Sequence, residues 1–145
     1  MLRLTRSYPF CASHRLHVDA LSEQENFRLF DKCNNPYGHG HNYVLEVTLE
    51  GEPDPETGLL IGRREIDQLV AGEIVPRIDH KDMNCEVAEF EQLNPTTENL
   101  LTVIRGWLLE SWCETGLARA RPVRLRLLET RKNSFTLDLE SAGLE

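Results

Sequence analysis

Single-residue alternation of apolar and polar side chains marks several stretches of this chain as strands with one buried face. From Asn42 to Glu50, Tyr43, Leu45, Val47 and Leu49 are apolar, while Asn42, Glu46, Thr48 and Glu50 are polar. That strand runs to about Gly51. An earlier strand is expected over residues 2–17, where Leu2, Leu4, Tyr8, Phe10, Ala12 and His14 share one parity, with a bend at Pro9. Further on, Val123, Leu125, Leu127 and Glu129 occupy one face of a strand, and Arg124, Arg126 and Thr130 the other. A last strand sets Phe135, Leu137 and Leu139 against Ser134, Thr136 and Asp138, after a turn at Lys132-Asn133.

Elsewhere the period changes to that of a helix. From Arg63, the spacing of Ile66, Leu69, Val70 and Ile74 predicts a helix that Pro76 ends. A second helix is expected from an N-cap at Thr96 to about Thr115. It carries Glu98 in the first turn, Leu101, Ile104, Leu108 and Trp112 in register, and Gly116 just past the end. Both tryptophans read as core residues. Ser22 with Glu25 forms a capping box for a short helical turn inside the polar segment 19–32. Leu59-Leu60-Ile61 reads as a short apolar strand ending at Gly62, and residues 78–84 as a loop. This order predicts an α+β fold: a four-stranded antiparallel sheet with two helices on one face. Such a sheet has two open edges, which invite closure with other copies.

With 145 residues, 40% of them hydrophobic, the chain is long enough for one domain (1–145) with a core. A net charge of −8 argues against nucleic acid or an anionic membrane as partner. No apolar run is long enough to span a membrane, and the N-terminus lacks a signal-peptide pattern. Cys11, Cys33, Cys85 and Cys113 are scattered without Cys-x-x-Cys pairs, so reduced thiols in a cytoplasmic protein are expected.

Candidate chemistry is concentrated in Cys33-Asn34-Asn35-Pro36-Tyr37-Gly38-His39-Gly40-His41-Asn42-Tyr43. His39 and His41 are two apart on a strand and therefore point the same way. They are either metal ligands or polar decoration at a strand end. Gly38 and Gly40 leave room for a ligand, and the Asn-Asn-Pro turn brings Cys33 back towards the pair. His14 is either a core-edge histidine bonded to backbone or a third imidazole, and three imidazoles leave Zn²⁺ an open fourth position. His17, on the opposite parity, is set aside. Asp79-His80 is a solvated turn unless it lies near a thiol, where an imidazole generates the reactive thiolate. Glu129 either reaches solvent at its strand end or receives N–H donors from a polar heterocycle.

Five segments together carry a family resemblance: Phe10-Cys11-Ala12-Ser13-His14-Arg15-Leu16, the stretch 33–43, Ile78-Asp79-His80, Pro95-Thr96-Thr97-Glu98-Asn99 and Leu128-Glu129-Thr130. In order and approximate spacing they resemble the 6-pyruvoyl-tetrahydropterin synthase family over nearly the whole chain. The resemblance implies Zn²⁺ on His14, His39 and His41, with Cys33 as general base and Asp79 with His80 completing its proton relay. It implies that Glu129 anchors the pterin ring, helped by Thr96, Thr97 and Glu98. The implied substrate is 7,8-dihydroneopterin triphosphate; Arg15, Lys32, Lys81 or Lys132 from neighbouring subunits are the candidates to receive its triphosphate, and the sequence does not choose among them. The implied architecture is the tunnelling fold, in which subunits close into a barrel as a trimer or hexamer with sites between them. The thiolate is expected to have its pKa lowered by nearby positive charge.

Two alternatives stay open. The related 6-carboxy-tetrahydropterin synthases of deazapurine (queuosine) biosynthesis share the zinc histidines, the Cys, the Asp-His and the substrate, usually with a shorter approach to the Cys, but release acetaldehyde. A non-catalytic, zinc-bound pterin scaffold would need the histidines but not Cys33, Asp79 and His80. Two positions depart from the family pattern. Gly62-Arg63 stands where the family usually has Asp or Asn and an apolar residue, supporting the next helix. Cys11, often Ser in relatives, is expected to be a small buried thiol.

Overall fold

A computed structural model describes residues 1–139. Its sheet is founded on the two long alternating stretches. β1 (Leu2–His14) and β2 (His39–Gly51) pair antiparallel throughout, from Leu2 opposite Gly51 to His14 opposite His39. Even-numbered β1 residues and odd-numbered β2 residues share a face, so Tyr8, Phe10, Tyr43, Leu45, Val47 and Leu49 are buried together. β4 (Ala120–Leu128) pairs with β2, and β5 (Ser134–Asp138) with β4, both antiparallel.

The sheet has five strands, not the expected four. β3 (Lys81–Asp82) pairs parallel with Ala12 and Ser13, giving the order β3-β1-β2-β4-β5. Two residues carry no periodicity, so their pairing is invisible in the sequence. β1 stops at His14 instead of continuing to residue 17, because the Leu16 N–H leaves the ladder to donate to the Cys33 carbonyl at 2.7 Å. Pro9 makes no break in the pairing and sits opposite Val44. Cys11 turns its N–H and C=O towards Asp79 and His80. Pro9, two residues earlier, turns its nitrogen to the same edge, beyond the reach of β3, where no donor is needed.

The described residues form four α-helices, not the expected two. α1 (Glu23–Phe30) starts at Ser22 with the expected capping box, Glu25 N–H to Ser22 Oγ and Ser22 N–H to Glu25 Oε2. α2 (Arg63–Leu69) packs Ile66 and Leu69 into the core. Pro76 does not end this segment: a π turn (Val70–Ile74) and a 3₁₀ turn (Val75–Arg77) carry it on. Pro76 falls at the start of the last turn, where a missing N–H costs nothing. Leu59–Ile61 is not a strand. Leu60 and Ile61 enter the core from a loop closed by the Asp54 N–H to Leu59 O and the Gly58 N–H to Asp54 O. Residues 78–84 hold β3 and the start of α3 (Met83–Glu86), which Asp82 caps. α4 (Thr97–Thr115) has Thr96 as N-cap and Gly116 just past its end at φ 66°, as its spacing predicts. Both tryptophans are buried, and the Trp107 indole N–H donates to Glu89. Gly62 proves to be the N-cap of α2 and offers no side-chain hydrogen bond there. An Asp or Asn at this position would supply one.

The opposite face of the sheet is a polar ladder rather than a second core. Arg3 and Arg121 flank Glu50, Thr5 meets Thr48, Arg126 meets Glu46 and Arg124 meets Asp138. Each exposed pair adds little stability. Together they make that face hydrophilic across four strands.

Candidate active site

Antiparallel pairing of β1 with β2 sets His14 opposite His39, and His41 follows two residues on. His39 Nε2 lies 3.3 Å from His14 Nε2, 3.1 Å from His41 Nε2 and 3.1 Å from Cys33 Sγ. All four donor atoms fall within 4.8 Å of one another. A tetrahedral Zn²⁺ with Zn–N of about 2.0–2.1 Å spaces its nitrogens by about 3.3 Å, so the imidazoles already stand at ligand spacing.

Both alternatives for His14 are realised in one residue. It is buried, and its Nδ1 lies 2.8 Å from the Pro95 carbonyl. A carbonyl only accepts, so the ring proton is on Nδ1 and the Nε2 lone pair faces the other imidazoles. Converging lone pairs repel unless a cation or shared proton lies among them, so the donor set fits a divalent metal. Burial holds the pKa of His14 and His41 below the ordinary imidazole value, which keeps both neutral and ready to ligate.

The approach to the metal ligands depends on Gly38. Its φ is 70°, and a Cβ there would lie 2.9 Å from the His14 carbonyl oxygen. Gly38→Ala is expected to cost about 1–2 kcal/mol from the left-handed backbone alone and to displace His14. A lowered Tm together with reduced metal content checks this.

Cys33 sits in a 3₁₀ turn (Asp31–Asn34) tied to the end of β1 through its own carbonyl and through Asn34 Nδ2 to Leu16 O at 2.7 Å. The expected return of Cys33 to the histidines is what the structure has. The electrostatics differ from expectation. Burial pushes the thiol pKa up, and Glu129 and Asp31 add to the rise. The charges of this chain therefore oppose the thiolate.

Glu129 follows β4 directly. Its Oε1 is 3.5 Å from His41 Nε2 and its side chain is only 11% exposed, so it faces the site and not solvent. Thr96 Oγ1 accepts the Asn99 N–H as a cap, Thr97 is buried, and Glu98 is exposed on the first turn. Tyr43 was not singled out as a site residue, although it shares the parity of His39 and His41. Its ring lies 5.5 Å from that of His41, and its pKa is pushed up by burial, with Glu129 adding. Tyr43 Oη and Thr97 Oγ1 are buried without a hydrogen-bond partner.

Asp79 and His80 are not beside Cys33 within one chain. They flank Cys11, whose side chain alternates to the opposite face of β1 from His14. Asp79 Oδ1 accepts the Cys11 N–H at 2.9 Å and faces His80 Nδ1 at 3.0 Å. The Cys11 N–H, first among its causes, holds the Asp79 carboxyl below the usual range. Cys11 is exposed, not buried as expected, because odd β1 positions face away from the core. His17, set aside on parity, shares a cavity of ≈ 760 Å³ with Arg15, Lys32 and His39. Lys81 lines a separate cavity with His80, and Lys132 lies beyond β4 in the turn to β5. Among the described residues, no helix is long and apolar enough to cross a membrane.

Comparison with known proteins places the chain in one family over most of its length. A profile of the family described as 6-pyruvoyl tetrahydropterin synthase matches residues 3–140. A 6-pyruvoyl tetrahydrobiopterin synthase of Poecilia reticulata is 39% identical over 130 residues, covering 90% of this chain and 85% of that protein. A 6-carboxy-5,6,7,8-tetrahydropterin synthase of Rickettsia conorii is 27% identical over 120 residues, covering 72% and 78%. The structure of Caenorhabditis elegans 6-pyruvoyl tetrahydropterin synthase superposes with a TM-score of 0.84 at 32% identity, covering 96% of each chain. By its family profile, its identity to these relatives and its fold, this chain belongs to the 6-pyruvoyl tetrahydropterin synthase family.

Proposed function

We propose that the protein is a zinc-dependent lyase that converts 7,8-dihydroneopterin triphosphate to 6-pyruvoyl-tetrahydropterin and releases triphosphate. The observation that carries this is the convergence of His14, His39 and His41 Nε2 with Cys33 Sγ. His14, His39 and His41 hold the metal, and the Pro95 carbonyl fixes the His14 tautomer. Zn²⁺ bound there supplies Lewis acidity to the substrate's side-chain oxygens and a positive charge that counters Glu129 and Asp31 at Cys33. Cys33 Sγ removes the proton from the activated carbon. His80, oriented through Nδ1 by Asp79, relays it.

Asp79 and His80 lie on the far face of β1, so the relay at Cys33 is completed by a neighbouring copy. The outer edge of β5 and the stretch of β1 beyond β3 are open strand edges that suit closure into a barrel, as a trimer or hexamer. The polar ladder then faces a hydrated interior. The chain works in this assembly as a single domain. Glu129 receives N–H donors of the pterin, and Thr96, Thr97 and Glu98 complete that pocket. Buried hydroxyls on Tyr43 and Thr97 favour a polar ligand beside them. Arg15 and Lys32, in the cavity that reaches His39, are placed to meet the triphosphate.

Glu129→Gln keeps the shape and removes the charge. Charge-assisted hydrogen bonds contribute about 1.5–3 kcal/mol, so kcat/KM is expected to fall about 10–100-fold, mostly through KM. Steady-state kinetics checks this.

The Rickettsia similarity favours one second reading, cleavage of the side chain to the 6-carboxy product with loss of acetaldehyde. Mass spectrometry of products from the zinc-loaded protein and dihydroneopterin triphosphate decides. Pyruvoyl product with triphosphate supports the lyase, and carboxy product with acetaldehyde replaces it by the second reading. No turnover by folded, metal-loaded protein favours a pterin-binding scaffold.

A further inference from the structure

The Asp79–His80 pair has a neighbour for which the proposed reaction has no use. Cys11 Sγ donates to Asn42 Oδ1 at 3.0 Å on the outward side of β1. Donor atoms of Cys11, Asp79 and His80 all lie within 4.8 Å of one another. Hydrogen bonds from main-chain N–H groups fix the three relative to each other: Cys11 N–H to the side-chain Asp79 Oδ1 at 2.9 Å, and His80 N–H to the Cys11 carbonyl at 2.6 Å. His80 holds φ 59°, a conformation that a side-chain-bearing residue keeps only when its surroundings enforce it. A cavity of ≈ 470 Å³ lies against Cys11 and His80, with Ser13, Gly40, His41 and Lys81 also in its wall.

A thiol, an imidazole and a carboxylate form a donor set for zinc or cadmium, not for magnesium or calcium. Bonds of about 2.0–2.3 Å to a tetrahedral ion place donors about 3.3–3.7 Å apart. In the single chain the His80 and Asp79 side chains are 80% and 32% exposed, which leaves them room to rotate and close that gap. We propose that Cys11, Asp79 and His80 form a second divalent-metal site, separate from the three-imidazole centre, for a thiophilic ion such as Zn²⁺ or Cd²⁺. Binding releases the Cys11 thiol proton to solvent and shifts the His80 proton from Nδ1 to Nε2, and a water fills the fourth position. An ion held there takes Asp79 and His80 out of proton transfer, so excess metal inhibits. The inhibition rests on the proposed function; the binding does not.

Protein carrying one zinc per chain is titrated with Cd²⁺, following thiolate–cadmium charge-transfer absorbance, zinc content and turnover. Wild type takes up a cadmium ion with that absorbance, retains its zinc, and loses turnover as the ion binds. Cys11→Ser has unchanged basal activity, binds the ion at least about tenfold more weakly, and resists inhibition to the same extent. Cys85, an exposed thiol beside Asp82, is one competing donor, and Cys85→Ser behaves as wild type. Uptake by Cys11→Ser as tight as by wild type, or its loss in Cys85→Ser, overturns the site. Weakened binding in Cys11→Ser with wild-type turnover untouched by cadmium keeps the site and overturns the inhibition.

Discussion

His39→Ala is expected to strip the protein of zinc and, with it, of activity. His39 is the hub of the donor cluster, since its Nε2 is within 3.3 Å of His14 Nε2 and 3.1 Å of both His41 Nε2 and Cys33 Sγ. Removing it leaves two imidazoles on opposite sides of a gap. Losing an outer-shell partner typically costs a metal site about 10–100-fold in affinity, and losing a ligand costs more. The fold is expected to survive, because His39 is only half-buried at the start of β2 and the apolar face below it is intact. Elemental analysis after dialysis, with circular dichroism as a check on folding, measures the effect. A folded His39→Ala protein that keeps one zinc per chain refutes the metal assignment.

Cys33→Ala separates the base from the metal. The thiol is 3.1 Å from His39 Nε2 but is held by the Asp31–Asn34 turn, not by the histidines. Zinc content and pterin affinity are therefore expected to stay near wild type. Loss of a positioned general base costs about 10²–10⁴-fold in rate, and the loss is expected in kcat with KM little changed. Cys33→Ala that turns over normally removes Cys33 from the chemistry. Zinc lost as readily as from His39→Ala makes Cys33 a fourth ligand instead.

Much of the site was legible because strand parity is a local property. His39 and His41 share a face in any strand that also buries Tyr43 and Leu45, and His14 shares the parity of Phe10 and Ala12. Parity also contained the correct placement of Cys11, which alternation puts on the exposed side. Parity could not place His17, because β1 ends at His14 and alternation has no meaning beyond it. The Asp79–His80 pair was legible as residue types but not as a location. Its position follows from β3, a two-residue parallel pairing that leaves no periodic trace. The surroundings of Cys33 were legible only in part: Asp31 is two residues away, but the burial of the thiol and the approach of Glu129, distant in sequence, come from the tertiary structure.

By itself the sequence determined the long strands, the capped helices, the buried face and the identity of the donor residues. Each follows from side-chain chemistry repeated at a fixed spacing, or from a cap a few residues long. Only the tertiary structure decided which donors meet. Antiparallel register sets His14 opposite His39, the entry of α4 brings the Pro95 carbonyl to His14 Nδ1, and the end of β4 sets Glu129 beside His41. It also decided that Asp79 and His80 stand with Cys11, across β1 from Cys33. These juxtapositions join segments separated by tens of residues, and no local periodicity encodes them.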